Sequence, residues 1–450
     1  MLPSFCRRWL HDFSAVGLPA SLLVCFLLYF PKGGFKFSGI PFTWGCLLLL
    51  LFAGIAACNA VYTHPVSRKH FSAFLYTLPF ALLAGCSVLV LGQGNVGFTF
   101  SLFYCFLFAP LAFLVLFAPY FHNIPQEALF RLIDRGVLFV AIYGIVLFFY
   151  KYYVGEFFTI PYLTINAGDV GMLEQKHIER GTIFKLISTY NNGNVYGVSI
   201  LMLLPLFHSR NVWWKRWIVK TSLVLSLSRT VWIGLLLHEI VRLLWGRLSF
   251  KLLLRVTSIG ALGLLTTLTL LPLMGKDSDF LLDANLGGRL NQILLLLEGG
   301  VYLFPHKPFS VIAEIAYVSI LDTFGVLGLL TFLSALLMPL WIAVRQEGIS
   351  KNLFSRAIGV VKSMLGSRTY PYVRLRFLAL PFLATHPDKR VFRSVQEGLA
   401  PYTLPRYKKD ILFGLGLYLV VAGSDSASLY VPVMLFYWFG VAMLLREEPL

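Results

Sequence analysis

The run from Asn191 to Leu237, NNGNVYGVSILMLLPLFHSRNVWWKRWIVKTSLVLSLSRTVWIGLLL, decides how the rest of the chain is read. It holds two apolar blocks, a basic aromatic hinge between them, and Arg229 inside otherwise unbroken membrane-grade sequence. An arginine at mid-bilayer costs roughly 2.5–3.5 kcal/mol on insertion scales, so it ordinarily faces a cavity, a partner or a charged ligand. The competing explanation is an arginine near a helix end that snorkels to the headgroups.

Outward from this run the composition is of one kind. Of 450 residues, 58% are hydrophobic and only 13% charged, about half the charge of a soluble domain. Apolar stretches near the ~20 residues needed to cross a bilayer recur along the chain. Lipid offers no partner to backbone polar groups, so such stretches are expected to be helical. The net charge of +17 does not point to nucleic acid, because Lys and Arg gather in short segments between apolar runs, the pattern that orients membrane helices. The six cysteines lie in the first quarter without a CxxC pair, so neither a disulfide framework nor a metal site is expected from them. The basic, apolar N-terminus has no small-residue cleavage site after Phe30 and reads as an uncleaved first span.

These patterns predict an all-α polytopic membrane protein of about twelve transmembrane helices. The spans fall at 14–31, 40–62, 71–92, 98–121, 134–154, 194–208, 213–227, 229–245, 252–274, 316–344, 409–423 and 428–445. Alternating charge puts both termini in the cytoplasm. The stretch Trp217–Leu244 is too long for one helix and short for two, and splits best at Ser228-Arg229-Thr230. The whole chain, 1–450, then forms one integral membrane domain with two larger outer loops, about 155–193 and 275–315. In the second loop Leu286, Leu290, Ile293, Leu294 and Leu297 recur at helical spacing, the pattern of an amphipathic surface helix. The segment 345–410 carries thirteen Lys/Arg against four acids, which suits a cytoplasmic loop held on anionic lipid.

Motifs for nucleotide or metal chemistry are missing: no P-loop, dinucleotide fingerprint, HExxH or GxSxG is present. Asp277-Ser278-Asp279 matches DxD in letter only. No cofactor is therefore expected. The remaining candidates are charges placed on the outer side: Arg229, Arg289, His306, Lys307, Glu314 and Asp322. Two arginines facing one cavity suit a diphosphate, since each presents a planar fork of donors, and an acid or histidine nearby suits a base. Each also has a plain explanation: an interfacial anchor for Arg289, an exposed loop residue for His306, a helix N-terminal acid for Glu314, an interhelical hydrogen bond for Asp322.

NNGNVYGVSILMLLPLF followed by LVLSLSRTVWIGLLL resembles the O-antigen polymerase and ligase superfamily, over roughly 190–340. The resembling features are Asn194 and Gly197, Leu204-Pro205, Ser228-Arg229, the loop with Arg289, and Gly325 with Gly328. The resemblance implies a GT-C-like fold in the bacterial inner membrane and metal-independent glycosyl transfer at the periplasmic face. The partners it implies are an undecaprenyl-diphosphate-linked glycan donor and acceptor, membrane lipids and a chain-length regulator. In that scheme Arg229 and Arg289 hold the diphosphate and Glu314 is the base, with Asn194, His306, Lys307 and Asp322 on the substrate. Ligases usually carry His-Asn before the Gly-x-x-Gly segment, which AEIAYVSILDTFGVLG lacks, favouring the repeat-unit polymerase over lipid A-core ligase. A lipid-linked oligosaccharide flippase is the alternative of another class, although matching interrupted helices in two halves are not evident.

Overall fold

A computed structural model describes residues 12–37, 40–63, 66–92, 94–173, 179–180, 183–245, 289–310, 315–346, 405–423 and 430–447. The expected span 252–274, most of the loop 275–315, Glu314 and most of the basic segment 345–410 lie outside the described residues.

Only four helices combine the length and apolarity needed to cross a membrane among the described residues. They are α3 (Arg68–Leu91), α4 (Val96–Leu116), α6 (Gln126–Val154) and α11, whose apolar span is Ala316–Arg345. Three further apolar helices are short: α1 (Leu18–Tyr29), α2 (Trp44–Thr63, apolar over Trp44–Asn59) and α13 (Val431–Leu445). The short α5 (Ala118–Asn123) links α4 to α6. The expectation of about twelve transmembrane helices, and with it the multi-pass inner-membrane topology with both termini cytoplasmic, is therefore corrected.

The difference has a physical cause. In α7 (Gly193–Arg210) every residue from Val195 to His208 is buried inside the protein. A helix that is apolar all round suits the middle of a large protein as well as it suits lipid. Around α7 pack α8 (Trp213–Leu225), α9 (Arg229–Trp245), α12 (Arg406–Ala422) and α13. At 13 residues α8 is only about 20 Å long. Helices of this length are more often core elements than spans. The proximity of α7 to its neighbours depends on glycine: an ideal Cβ on Gly414 of α12 would overlap the Met202 carbonyl oxygen of α7.

Nor is the chain purely helical. Residues Gly34–Phe37 and Ile40–Thr43 form an antiparallel hairpin, β1–β2, in the register Gly34↔Thr43 to Phe37↔Ile40. A second, two-residue pair, β3–β4, joins Glu179–Arg180 to Ile183–Phe184. Gly34 adopts φ 144°, and a side chain there would meet the Phe42 carbonyl, so only glycine lets the strands close. Trp44 Nε1 ties the hairpin to the segment after α6 by donating to the Tyr162 carbonyl at 2.6 Å.

Three of the membrane-length helices meet in an aromatic cluster. Phe80 of α3 contacts Phe106 of α4 and Phe324 and Phe332 of α11 edge-to-face, with centroids 5.1–5.7 Å apart. Buried polar tips find partners: Trp438 Nε1 donates to the Cys105 carbonyl at 2.6 Å, and the Tyr437 hydroxyl donates to the Leu336 carbonyl. Helix α11 is interrupted at Gly325, where φ 72° leaves the helical region. The Val326 and Leu327 amides, cut off from their own turn, donate instead to the Tyr302 and Leu303 carbonyls, so residues 302–303 stand in for the missing turn.

Candidate metal centre

One end of the α7–α9 core carries a cluster of charged side chains and imidazoles. Helix α7 starts at Asn192, whose Oδ1 caps the amides of Asn194 and Val195 at 2.9 and 3.3 Å. It ends with His208, Ser209 and Arg210, after which Asn211 Nδ2 donates to the Phe207 carbonyl. The chain then enters α8. At Ser226–Ser228 it reverses, with Leu227 in the left-handed region at φ 49°, and α9 begins at Arg229. The interruption falls where the sequence placed its split. Trp232 Nε1, donating to the Val224 carbonyl at 2.9 Å, closes the α8–α9 hairpin. Two turns further from the bend, the hairpin sets Lys220 of α8 against His238 and Glu239 of α9.

Glu239 is the hub. Its Oε1 accepts from Lys220 Nζ at 2.7 Å and lies 3.0 Å from His238 Nδ1, while Oε2 accepts from Arg242 Nη1 at 3.2 Å. A carboxylate only accepts, so His238 carries its proton on Nδ1 and its Nε2 lone pair is left without a partner among the described residues. Phe413 of α12 stacks on the His238 ring at 5.5 Å and 8°, fixing its plane. His208, at the end of α7, lies with its ring centroid 5.5 Å from that of His238. Arg216 Nη1 donates to His208 Nε2 at 3.3 Å, and His208 Nδ1 has no partner among the described residues. One donor atom each from His208, His238 and Glu239 falls within 4.8 Å of the others, and all three residues are buried.

The electrostatics hold both rings neutral. Burial pushes His208 down to about 2, with Arg242, Lys220 and Arg216 acting in the same direction. Burial also lowers His238, against the opposing pull of Glu239. Burial pushes the Glu239 carboxyl up, yet the hydrogen bond from His238 and the charge of Lys220 outweigh it, leaving the group well below the usual range. Burial lowers Lys220, and Asp410, on α12 nearby, is raised by burial. Two neutral imidazoles and a carboxylate form the nitrogen-and-oxygen donor set that suits first-row transition metals rather than calcium or magnesium.

The residues expected from the sequence lie elsewhere. Arg229 is the first residue of α9, at the bend, some nine residues or about 14 Å along the helix from His238. Asn194 is in the first turn of α7 and accepts from Lys185 Nζ at 3.2 Å. Arg289 opens α10 (Arg289–Gly299). The structure brings together Lys307 and Asp322, with Nζ to Oδ2 at 2.5 Å. His306, between them and the α11 interruption, stacks on Tyr302 at 4.0 Å and donates its amide to the Thr323 carbonyl at 3.4 Å. Glu314 lies outside the described residues. His208, His238 and Glu239 were missed, although LLLHEIV places two ionisable groups in an apolar helix just as conspicuously as LSRTV places one.

No protein-family model, curated protein or solved structure matches the chain. The resemblance to the O-antigen polymerase and ligase superfamily is corrected accordingly, since the described residues hold four membrane-length helices and small β-hairpins instead of a twelve-helix GT-C-like fold. Glycan polymerisation, and a metal-independent glycosyltransferase as the enzyme class, fall with that architecture. The buried His208, His238 and Glu239 donor set points to different chemistry.

Proposed function

We propose that this protein is a membrane-associated helical protein that binds a first-row transition-metal ion at His208, His238 and Glu239. The observation that supports it is the convergence of two buried imidazoles and one buried carboxylate, with one donor atom of each within 4.8 Å of the others. Burial holds both rings neutral, so protons do not compete for their lone pairs; the His208 lone pair, on Nε2, is occupied only by the hydrogen bond from Arg216.

The site also contains its own competitor. Lys220, Arg216 and Arg242 surround the donors, and a divalent ion cannot share Glu239 Oε1 with an ammonium 2.7 Å away. Binding therefore displaces Lys220 from Glu239 and Arg216 from His208, and the ion takes the place of the lysine as the link between the helices. Tight binding of a harder ion such as magnesium is not expected, because it keeps its waters and prefers oxygen.

The test is titration of the metal-stripped, full-length protein in detergent with Co²⁺ and Zn²⁺, read by the cobalt absorption bands and by calorimetry. One ion per chain is expected. Replacing His238 or His208 by Ala weakens binding by at least the roughly 10–100-fold seen for lesser changes around metal sites. Lys220→Met, which removes the competing cation, tightens it. Absence of binding in wild type, or equal binding in His238→Ala, refutes the metal reading and leaves the cluster as an ion network that pins three helices.

A further inference from the structure

We infer, with the metal reading as the basis, that the ion at His208, His238 and Glu239 recruits a phosphate group, held between the ion and the side chains of Arg216, Lys220 and Arg242. The first ground is charge. The charges of Arg216 and Lys220 on α8 and of Arg242 on α9 all act on His208. The carboxylate in contact with two of them is Glu239. Glu127 and Asp134, beside Arg210 at the end of α7, are both bound to it, and Asp410 of α12 is met by the charges of Arg406 and Lys409. Arg216 touches no carboxylate among the described residues: its Nε donates to the Asn211 carbonyl at 2.6 Å and its Nη1 to His208 Nε2 at 3.3 Å. One carboxylate thus faces three cations, and a divalent ion adds two more positive charges to the same corner.

The second ground is what the ion displaces. Arg216 and Lys220 stand four residues apart on α8, one turn from each other on the same face. Each rests on an atom that the ion takes: Arg216 Nη1 on His208 Nε2, and Lys220 Nζ on Glu239 Oε1 at 2.7 Å. Once released, both remain tethered beside a dication, and an anion that touches all three relieves the repulsion. The protein offers the ion three donors, which leaves a position open in four-coordinate geometry. An oxygen of the anion fills that position. A carboxylate has too few oxygens to serve the ion and both cations separately. A phosphate ligates the ion and still accepts from Arg216 and Lys220, and its oxygens match the planar guanidinium fork. Arg242, with its side chain 41% exposed against 14% for Lys220 and 9% for Glu239, marks the side from which the anion enters.

The experiment is equilibrium dialysis of the detergent-purified full-length protein against radiolabelled inorganic phosphate, with Co²⁺ or with EDTA, and with bound cobalt counted in parallel. The cobalt-loaded protein is expected to hold one phosphate per chain, at least about tenfold more tightly than the EDTA-treated protein. Arg216→Gln lowers phosphate affinity by at least about tenfold, the loss of one hydrogen bond to a charged group. The same variant still binds cobalt, because it removes a competitor for His208 Nε2. Arg68→Gln, the same change at an exposed position of α3, leaves phosphate binding unchanged. If Arg216→Gln fails to fold, Arg242→Gln carries the same expectation. Phosphatidic acid in the detergent micelle displaces labelled phosphate if the group belongs to a lipid headgroup, and leaves it bound if the ligand is soluble. Absence of bound cobalt, with or without phosphate, overturns the metal reading and the phosphate with it. Cobalt bound without phosphate, or phosphate held equally by the EDTA-treated or Arg216→Gln protein, overturns the phosphate assignment alone.

Discussion

Replacing Glu239 by Gln removes one charge from the cluster while keeping the side-chain volume and an oxygen for His238. In the native arrangement the carboxylate holds Lys220 at 2.7 Å, and both partners are largely buried, with side chains 9% and 14% exposed. Arg242, 41% exposed, adds little because solvent screens it. The variant leaves the ammonium of Lys220 buried beside Arg216 and Arg242 with no anion in contact. Breaking a buried pair from one side typically costs about 3–5 kcal/mol, since the remaining ion keeps its desolvation penalty. For a chain of 450 residues at roughly 2.1 cal/mol/K per residue, that corresponds to a fall in Tm of about 4 °C. The assay is thermal unfolding in detergent with EDTA present, so that no metal contributes. The same loss should largely vanish when Lys220→Met is added, because replacing both members of a buried pair by neutral groups is often neutral. A coupling of at least about 3 kcal/mol between the two sites is therefore expected in the double-mutant cycle. If Glu239→Gln melts with wild type, or the double variant is as unstable as the two losses added, the cluster is not an interdependent buried network.

Two other outcomes follow from the same packing and charges. Gly414→Ala should destabilise by about 1–3 kcal/mol, because the new methyl meets the Met202 carbonyl and forces α12 off α7. Gly416→Ala, two residues on with open space around it, should be neutral or stabilising by up to ~1 kcal/mol, so a shared loss would refute the close approach. His208 sets a pH dependence. Its folded value of about 2 lies below the ordinary 6.5, so the unfolded chain takes the proton first as pH falls. Stability is full above pH 6.5 and declines below it by about 1.4 kcal/mol per pH unit. Melting in EDTA between pH 7.5 and 5 should show this slope in wild type and a shallower one in His208→Gln; identical slopes would remove His208 as the cause.

Several elements are legible in the sequence with their reasons. The apolar runs behind α3, α4, α6 and α11 combine length with few charges, and the structure forms a membrane-length helix at each. The split between α8 and α9 was legible from Ser228-Arg229-Thr230, where a charged residue interrupts apolar sequence. The β1–β2 hairpin was not read: Gly34–Phe37 fell between the expected spans 14–31 and 40–62, and Ile40–Thr43 inside the second, although Gly33-Gly34 before the alternating Phe35-Lys36-Phe37 carries a strand signal. The role of α7 was not legible. Its residues are apolar on all faces, and sequence alone does not distinguish lipid from other helices as the medium around it. The candidate site was hidden for a different reason: His208 and His238 stand thirty positions apart, and only the reversal at Ser226–Ser228 puts them 5.5 Å from each other.

Residue by residue, the chain is already helix-rich, apolar and basic before it folds, and the runs that become α3, α4, α6 and α11 are marked in it. These properties are local: hydrophobicity and backbone satisfaction act within one segment of about 20 residues. The tertiary structure alone decided how many apolar runs face each other instead of lipid, and which charges meet. Those are set by contacts between distant segments: a glycine that admits a carbonyl, a left-handed Leu227 that folds α8 onto α9, and one carboxylate, Glu239, that gathers Lys220, His238 and Arg242 around it. Burial then neutralises the two imidazoles, and it is burial, not the sequence of letters, that turns His208 and His238 from helix residues into candidate ligands.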